Sequence, residues 1–260
     1  MSESRQRLYR TEGIVIRRSN LGETDRILTL YTPTRGKLRA VVKGVRRPGS
    51  RMAGHVELLN HSSLLLARGR SLDIITQAQS IATFNALRQD LERIGWGCYT
   101  AELLGHMAPE QADNYPAFRL LLEVLEQLDQ GQNPELVVRS YELHLLNYMG
   151  FRPQLWRCVS CDAELALQPH VFSATSGGLL CPRCQEEDRY AHSLSLQTIK
   201  ALRYLQRNGL AEADRLVLPA DCRGELEQTL YQYIRTILER DVNAVGFLDT
   251  LRRGIVHQSR

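Results

Sequence analysis

The sequence lacks any apolar run near the roughly 18 residues a membrane-spanning helix needs; the longest candidate, Leu64–Ala67, is far too short. Its start, MSESRQRLYR, lacks the apolar segment of a secretory leader, so the expected compartment is the cytoplasm. Catalytic signatures are missing too. There is no P-loop glycine-lysine motif, no His-Glu-x-x-His helix and no Gly-x-Ser-x-Gly elbow. His55-Val56-Glu57 together with Cys181-x-x-Cys184 has the outline of a zinc deaminase signature. It fails because Leu180 stands where proline is required, a long stretch intervenes, and a second cysteine pair would be idle. A non-catalytic protein is expected. The absence of fixed-period repeats and low-complexity tracts excludes a solenoid. Aromatic residues are scarce at one end: of the 2 Trp, 10 Tyr and 5 Phe, only Tyr9 and Tyr31 fall in the first 80 residues. Modules that hold single strands by base stacking need several such rings, so a polyanion bound there is expected to be held through its phosphates.

Cations fill the space that aromatics leave. Residues 1–80 hold 15 Lys/Arg against 6 Asp/Glu, and residues 81–260 hold 18 against 23, within a net charge of only +4. A cationic amino-terminal module followed by a mildly acidic remainder suits polyanion binding at one end and protein contacts at the other. The densest stretch, GKLRAVVKGVRRPGSR from Gly36 to Arg51, contains no acidic residue. Lys37, Arg39 and Lys43 share a face with Val41 at period two while Leu38, Ala40 and Val42 point the other way, the pattern of a half-buried strand with a cationic outer surface. Gly44, Pro48 and Gly49 break regular structure, so Arg46, Arg47 and Arg51 are expected on a mobile loop. The alternative is a solvated charge run.

Residues 9–80 read as five strands: Glu12–Arg18, Arg26–Tyr31, Lys37–Lys43, Val56–Leu66 and Leu72–Gln79, separated by glycine- and proline-bearing turns. That count fits a small barrel such as the oligonucleotide-binding (OB) fold, whose closure removes exposed sheet edges. From Phe84 the apolar period becomes helical: Leu87, Leu91, Ile94 and Cys98; then Phe118 to Leu128; then Val137 to Tyr148, started by Asn133-Pro134 and ended near Gly150. Two more helices follow, around Leu196–Leu205 and Leu226–Leu238, with Phe247 and Leu248 beyond. They are expected to pack back on the middle helices. The resulting fold class is α+β: an OB barrel over residues 1–80, an all-α domain over 81–155 and 190–260, and an insert over 156–189.

The insert carries Cys158-x-x-Cys161, 19 intervening residues and Cys181-x-x-Cys184. Cytosolic cysteines grouped in this way are read as metal ligands before disulfides. The spacing predicts one four-cysteine zinc site, with an iron-sulfur cluster as the alternative. Four thiolates close the tetrahedral shell, so the ion is expected to be structural and to fold an insert poor in apolar residues. His170 is expected on a solvent-facing loop, and Cys98 and Cys222 are expected to pack within helices.

The segment Gly13–Arg51, GIVIRRSNLGETDRILTLYTPTRGKLRAVVKGVRRPGSR, resembles the opening of the bacterial RecO family in its GIV start, its glycine-glutamate turn and its KG-x-RR-x-x-S-R basic loop. The later segments follow that family's order, so the resemblance spans nearly the whole chain. It implies an OB barrel that contacts DNA, a helical domain and, in many members, a cysteine-ligated zinc insert. It also implies a role in DNA repair and recombination: annealing complementary strands and, with RecR, loading RecA onto DNA coated by single-stranded-DNA-binding protein, in the cytoplasm at the nucleoid. The residues expected to contact phosphates, of single- and double-stranded DNA alike because stacking rings are few, are Arg17, Arg18, Arg35, Lys37, Arg39, Lys43, Arg46, Arg47 and Arg51. Arg26 is set aside because Glu23 and Asp25 are near it in sequence, and Arg68 and Arg70 are assigned to a neighbouring loop. Two other readings compete: a structured-RNA-binding or translation-associated factor, and a scaffold that acts through its acidic helical half.

Overall fold

A computed structural model describes residues 8–240 and 242. Strands β1 (Leu8–Leu21), β2 (Asp25–Thr32), β3 (Gly36–Val42), β4 (His61–Ala67) and β5 (Asp73–Ala82) form a closed barrel in the order β1-β2-β3-β5-β4. β3 and β5 run parallel; the other neighbours are antiparallel. Helices α1 (Asn85–Gln89), α2 (Leu91–Met107), α3 (Tyr115–Gln130) and α4 (Pro134–Tyr148) follow. A three-stranded sheet comes next, of β6 (His170–Ser173), β7 (Gly178–Leu180) and β8 (His192–Leu194), in the order β7-β6-β8. Helices α5 (Leu196–Arg207), α6 (Leu210–Asp214) and α7 (Ala220–Leu238) complete the described chain.

The helix starts follow from their capping residues. The Asp90 carboxylate accepts the N–H groups of Glu92 and Arg93 at 2.9 and 3.0 Å, and the Asn133 side chain accepts that of Leu136 with Pro134 at the first helical position. Asn114 and Ser195 do the same for α3 and α5. Each satisfies backbone donors that the first helical turn leaves unpaired.

Two cores share the barrel wall. Val15, Leu28, Leu30, Leu38, Ala40, Val42, Leu64, Leu66 and Ile75 fill the barrel, with Val45 and Val56 plugging it. Ile14, Ile16 and Tyr31, on its outer side, join a second core that runs through Trp96, Leu104, Phe118 and Leu145 to Phe172, Leu202 and Leu230. The barrel docks closely. Gly36, at φ +55°, lies so near the loop between α2 and α3 that a Cβ would stand 1.9 Å from the Ala112 carbonyl oxygen, so only glycine fits there.

Several expectations are corrected. The fourth strand begins at His61 and not Val56, because Ala53–His55 forms a 3-10 turn and Leu59 adopts a left-handed φ of 67°. That detour carries Val56 into the barrel and Leu59 into the second core. The basic loop is anchored and not a free excursion: Val45 is buried, the Arg46 N–H donates to Thr24 O at 2.9 Å, and the Gly44 N–H donates to Asp25 Oδ1 at 2.8 Å. His170 is a buried strand residue whose Nε2 lies 3.0 Å from Ala166 O. The stripe Leu87–Leu91–Ile94–Cys98 is not one helix: Asp90, extended at φ −116° and ψ 120°, ends α1 and caps α2, while strands β6–β8 and helix α6 are too short to show an apolar period. Cys98 packs half-buried against the second core and Cys222 is buried in α7. Phe247 and Leu248 lie outside the described residues.

Candidate nucleic-acid interface and metal centre

Strand register decides where each cation points. Arg17 on β1 pairs with Thr29 on β2, and Thr29 pairs with Arg39 on β3, so the two exposed arginines stand on one outward-facing row. The next outer row toward the helices is Ile14–Tyr31–Lys37. It is covered. Lys37 Nζ donates to the Gly105 carbonyl at 3.0 Å and pairs with Glu110 at 3.2 Å, its side chain only 14 % exposed. Although Lys37 shares its face with Arg39, it joins the barrel to the end of α2.

A β-bulge between Val15 and Arg17 inserts one residue into β1 and changes the phase of the strand. Without it Arg17 would lie on the face of Val15, inside the barrel. With it Arg17 turns outward, and Arg18 takes the inner row opposite Leu28 and Ala40. There Arg18 pairs closely with Glu57, and Arg26 donates to the other Glu57 oxygen at 3.2 Å. Glu57, which sequence reasoning missed, is therefore the counter-charge of both arginines, in place of Glu23 and Asp25. Its signal was available, since it is the sole carboxylate between Asp25 and Asp73.

The loop after β3 supplies the rest. Asp25 holds the Gly44 N–H, and that hydrogen bond, with one from Thr24 and the nearby charges of Lys43 and Arg47, keeps its carboxyl below the usual carboxylate range. The charged anchor fixes where the chain leaves β3 and so where Lys43, Arg46, Arg47 and Arg51 emerge, all four exposed. Arg46 also donates to Gly22 O at 3.1 Å. Arg17 and Arg39 thus share one outward row of the barrel, and Lys43, Arg46, Arg47 and Arg51 emerge, exposed, from the end of β3 and the loop that follows it. Arg35 belongs elsewhere. It lies on the β2–β3 hairpin with its guanidinium 4.2 Å from the centre of the Tyr9 ring, and Arg68 of the β4–β5 hairpin lies 5.4 Å from the same ring. The phenol of Tyr9 donates to Asp73. The nine arginines and lysines of the sequence reading therefore divide into an outward group of six, Arg35 at the other end of β3, and Arg18 and Lys37 engaged within the protein.

The four cysteines converge. Their Sγ atoms all lie within 4.8 Å of one another, with Cys161 and Cys181 3.7 Å apart. A tetrahedral site with metal–sulfur bonds of about 2.3 Å requires sulfur separations of roughly 3.8 Å, so the set fits a metal ion. Local backbone geometry aims them. Asp162, at φ +58°, lets the first knuckle close with its N–H on Cys158 O at 2.9 Å, and the Cys184 N–H donates to Cys181 O at 3.0 Å in the second. Gly177, at φ +74°, turns β6 into β7 ahead of that knuckle. Burial opposes ionisation of Cys181, but the N–H groups of Arg183 and Cys184 outweigh it and lower its thiol to about 6. At Cys184 a hydrogen bond from Ser160 favours the thiolate, yet burial and the Cys161 and Cys181 sulfurs push the thiol up to about 12. One thiolate suppresses its neighbour, as expected where four sulfurs need a cation to ionise together. His55 and Glu57, the other half of the deaminase outline, are engaged in the barrel with Ser80 and with Arg18 and Arg26.

Comparison with known proteins agrees with this arrangement. The model described as recombination protein O N terminal matches residues 5–84, and the one described as recombination protein O C terminal matches residues 88–244. A DNA repair protein RecO of Roseiflexus sp. is 47% identical over 249 residues, covering 96% of this chain and 88% of that protein. Proteins of the same name from Dehalococcoides mccartyi and Symbiobacterium thermophilum are 38% and 36% identical, covering 94% of this chain and 96% and 98% of their own lengths. With a cationic five-stranded barrel, a helical half, a four-cysteine cluster and matches that span nearly its whole length, this chain belongs to the RecO family.

Proposed function

We propose that the protein is a non-catalytic DNA-binding mediator of repair and homologous recombination. On this reading it anneals complementary strands and acts with RecR to load RecA onto DNA coated by single-stranded-DNA-binding protein. The outward group formed by Arg17, Arg39, Lys43, Arg46, Arg47 and Arg51 carries the reading. Six exposed cations on β1, β3 and the loop after β3 neutralise phosphates and release counterions, which gives affinity without sequence preference. Of the two tyrosines in the barrel, Tyr31 is buried and the Tyr9 ring is flanked by arginines, so bases of a bound strand are left free to pair. Screening the repulsion between two backbones while leaving bases free lowers the barrier to duplex formation without fuel. The four-cysteine centre holds one zinc ion in a structural role, since four thiolates leave no position for a reacting water. Partner proteins enter by family membership alone, and the DNA repair name of the relatives favours DNA over structured RNA.

The test is a salt titration of oligonucleotide binding beside a strand-annealing assay on protein-coated DNA. The parent chain should lose affinity steeply with salt. Arg39→Glu, Lys43→Glu and Arg47→Glu together should weaken binding at least tenfold, reduce the salt slope by about 3 and abolish annealing. Affinity independent of salt, or a triple variant that binds as tightly as the parent, removes the reading.

A further inference from the structure

Acidic residues dominate the second part of the chain, with 23 Asp/Glu against 18 Lys/Arg over residues 81–260, but they avoid one region. Neither Met149–Arg157 nor α5 contains an Asp or Glu, and between them they hold Arg152, Arg157, Lys200, Arg203 and Arg207. The fold brings the two segments together. Arg203 Nε donates to Leu155 O at 2.8 Å, Gln206 Nε2 donates to Pro153 O at 2.8 Å, and Arg152 Nη2 donates to Gln206 Oε1 at 3.3 Å. Above these bonds the Trp156 ring has the Arg207 guanidinium 3.7 Å and the Arg203 guanidinium 4.5 Å from its centre.

Arg157 is neutralised by Asp162 and Glu164. Among the described residues none of Arg152, Lys200, Arg203 and Arg207 has an ion pair. Arg203 is the telling case: the residue is 6% exposed, its Nη2 is buried without a hydrogen-bond partner, and burial with the adjacent Arg207 charge lowers its affinity for the proton. A buried guanidinium lacking a counter-charge is costly unless an anion completes it. Tyr204, next to Arg203 along α5, is 40% exposed, and Phe151, next to Arg152 in the acid-free loop, is 44% exposed. Tyr204 lies at helical spacing from both Lys200 and Arg207, so ring and cations share one surface of α5.

We propose that this surface is a second nucleic-acid site, specific for single strands, that grips phosphates through Arg203 and Arg207, which the Trp156 ring orients, and stacks bases on the exposed rings of Tyr204 and Phe151. Arginine planes and exposed rings side by side are what an unpaired strand requires, whereas a duplex hides its base faces. The barrel supplies phosphate contacts without free rings; this surface supplies both. One strand here and one on the barrel are the two strands annealing needs. The inference rests on the DNA reading above but not on the barrel contacts.

Trp96 is 1% exposed and Trp156 is partly exposed, and the chain has no third tryptophan, so intrinsic fluorescence reports on this surface. Titrating the full chain with oligothymidylate should quench emission, a duplex of equal length should not, and Trp156→Phe should remove the signal. Tyr204→Ala with Arg207→Glu, both exposed positions chosen to preserve folding as checked by circular dichroism, should weaken single-strand affinity by about tenfold. The barrel triple variant should retain the quench. Unchanged emission when anisotropy shows the oligonucleotide bound, or unchanged affinity of the double variant, overturns this site and leaves the barrel reading standing. Binding lost in the double variant but not in the triple one leaves this site and overturns the barrel reading. Quenching by an acidic peptide and not by oligothymidylate makes the surface a protein dock and overturns the proposal.

Discussion

Lys37 and Arg39 stand two residues apart on one face of β3, yet one ties the protein together and the other faces solvent. Lys37 Nζ satisfies the Gly105 carbonyl, one of the last four of α2, which have no partner within the helix. Its ion pair adds little because Glu110 is 61% exposed. Lys37→Met should therefore lower stability by about 1 kcal/mol in urea unfolding while oligonucleotide affinity stays within about twofold of the parent, less than one phosphate contact is worth. A variant of normal stability and weakened DNA binding would put Lys37 on the DNA instead. The period-two alternation of β3 was legible in its residues, and burial of Leu38, Ala40 and Val42 follows it. What lay outside the residues was which stretch of the cationic face a helix would cover.

At the level of elements, capping was the most legible feature, because a cap acts within a few residues of itself. Asn133-Pro134 starts α4 as its local chemistry dictates. The β-bulge and the Val56–Asn60 detour were illegible, since they answer to packing across the barrel. The junction of α5 with α7 is another long-range feature. Glu225 of α7 accepts the N–H of Ser195, the cap of α5, at 2.9 Å, and the Thr198 hydroxyl at 2.6 Å. Burial alone would raise its carboxyl, but these hydrogen bonds outweigh it and hold the group below the usual range. A depressed carboxylate stabilises the fold above its unfolded value and loses that contribution as pH falls through the folded one. Glu225→Gln should thus cost about 1 kcal/mol at neutral pH and progressively less at an acid pH below the folded value, where the parent is protonated too. Urea unfolding at both pH values checks this, and a gap of equal size at both would refute the assignment.

Across the whole molecule, the cysteine module lies between α4 and α5 in the chain and shares the large core through Phe172, Leu179 and Leu180. β7 and β8 have three residues each, so a metal ion held by the four thiolates would supply what so small a sheet cannot. Elemental analysis should find one zinc per chain. Cys158→Ser with Cys181→Ser should remove it and leave residues 156–189 open to proteolysis, and a variant as resistant as the parent would show that the segment folds without metal.

By itself the sequence determined the number and order of the barrel strands, the helical stripes, the cysteine quartet and the excess of positive charge in the first 80 residues, because periodicity, capping and ligand spacing act over short distances along the chain. Only the tertiary structure decided which cations face outward, that Glu57 neutralises Arg18 and Arg26, and that an acid-free loop meets an acid-free helix around Trp156. Those outcomes depend on register, on one inserted residue in β1 and on the docking of distant segments, and each is set by packing between residues that the linear order keeps apart.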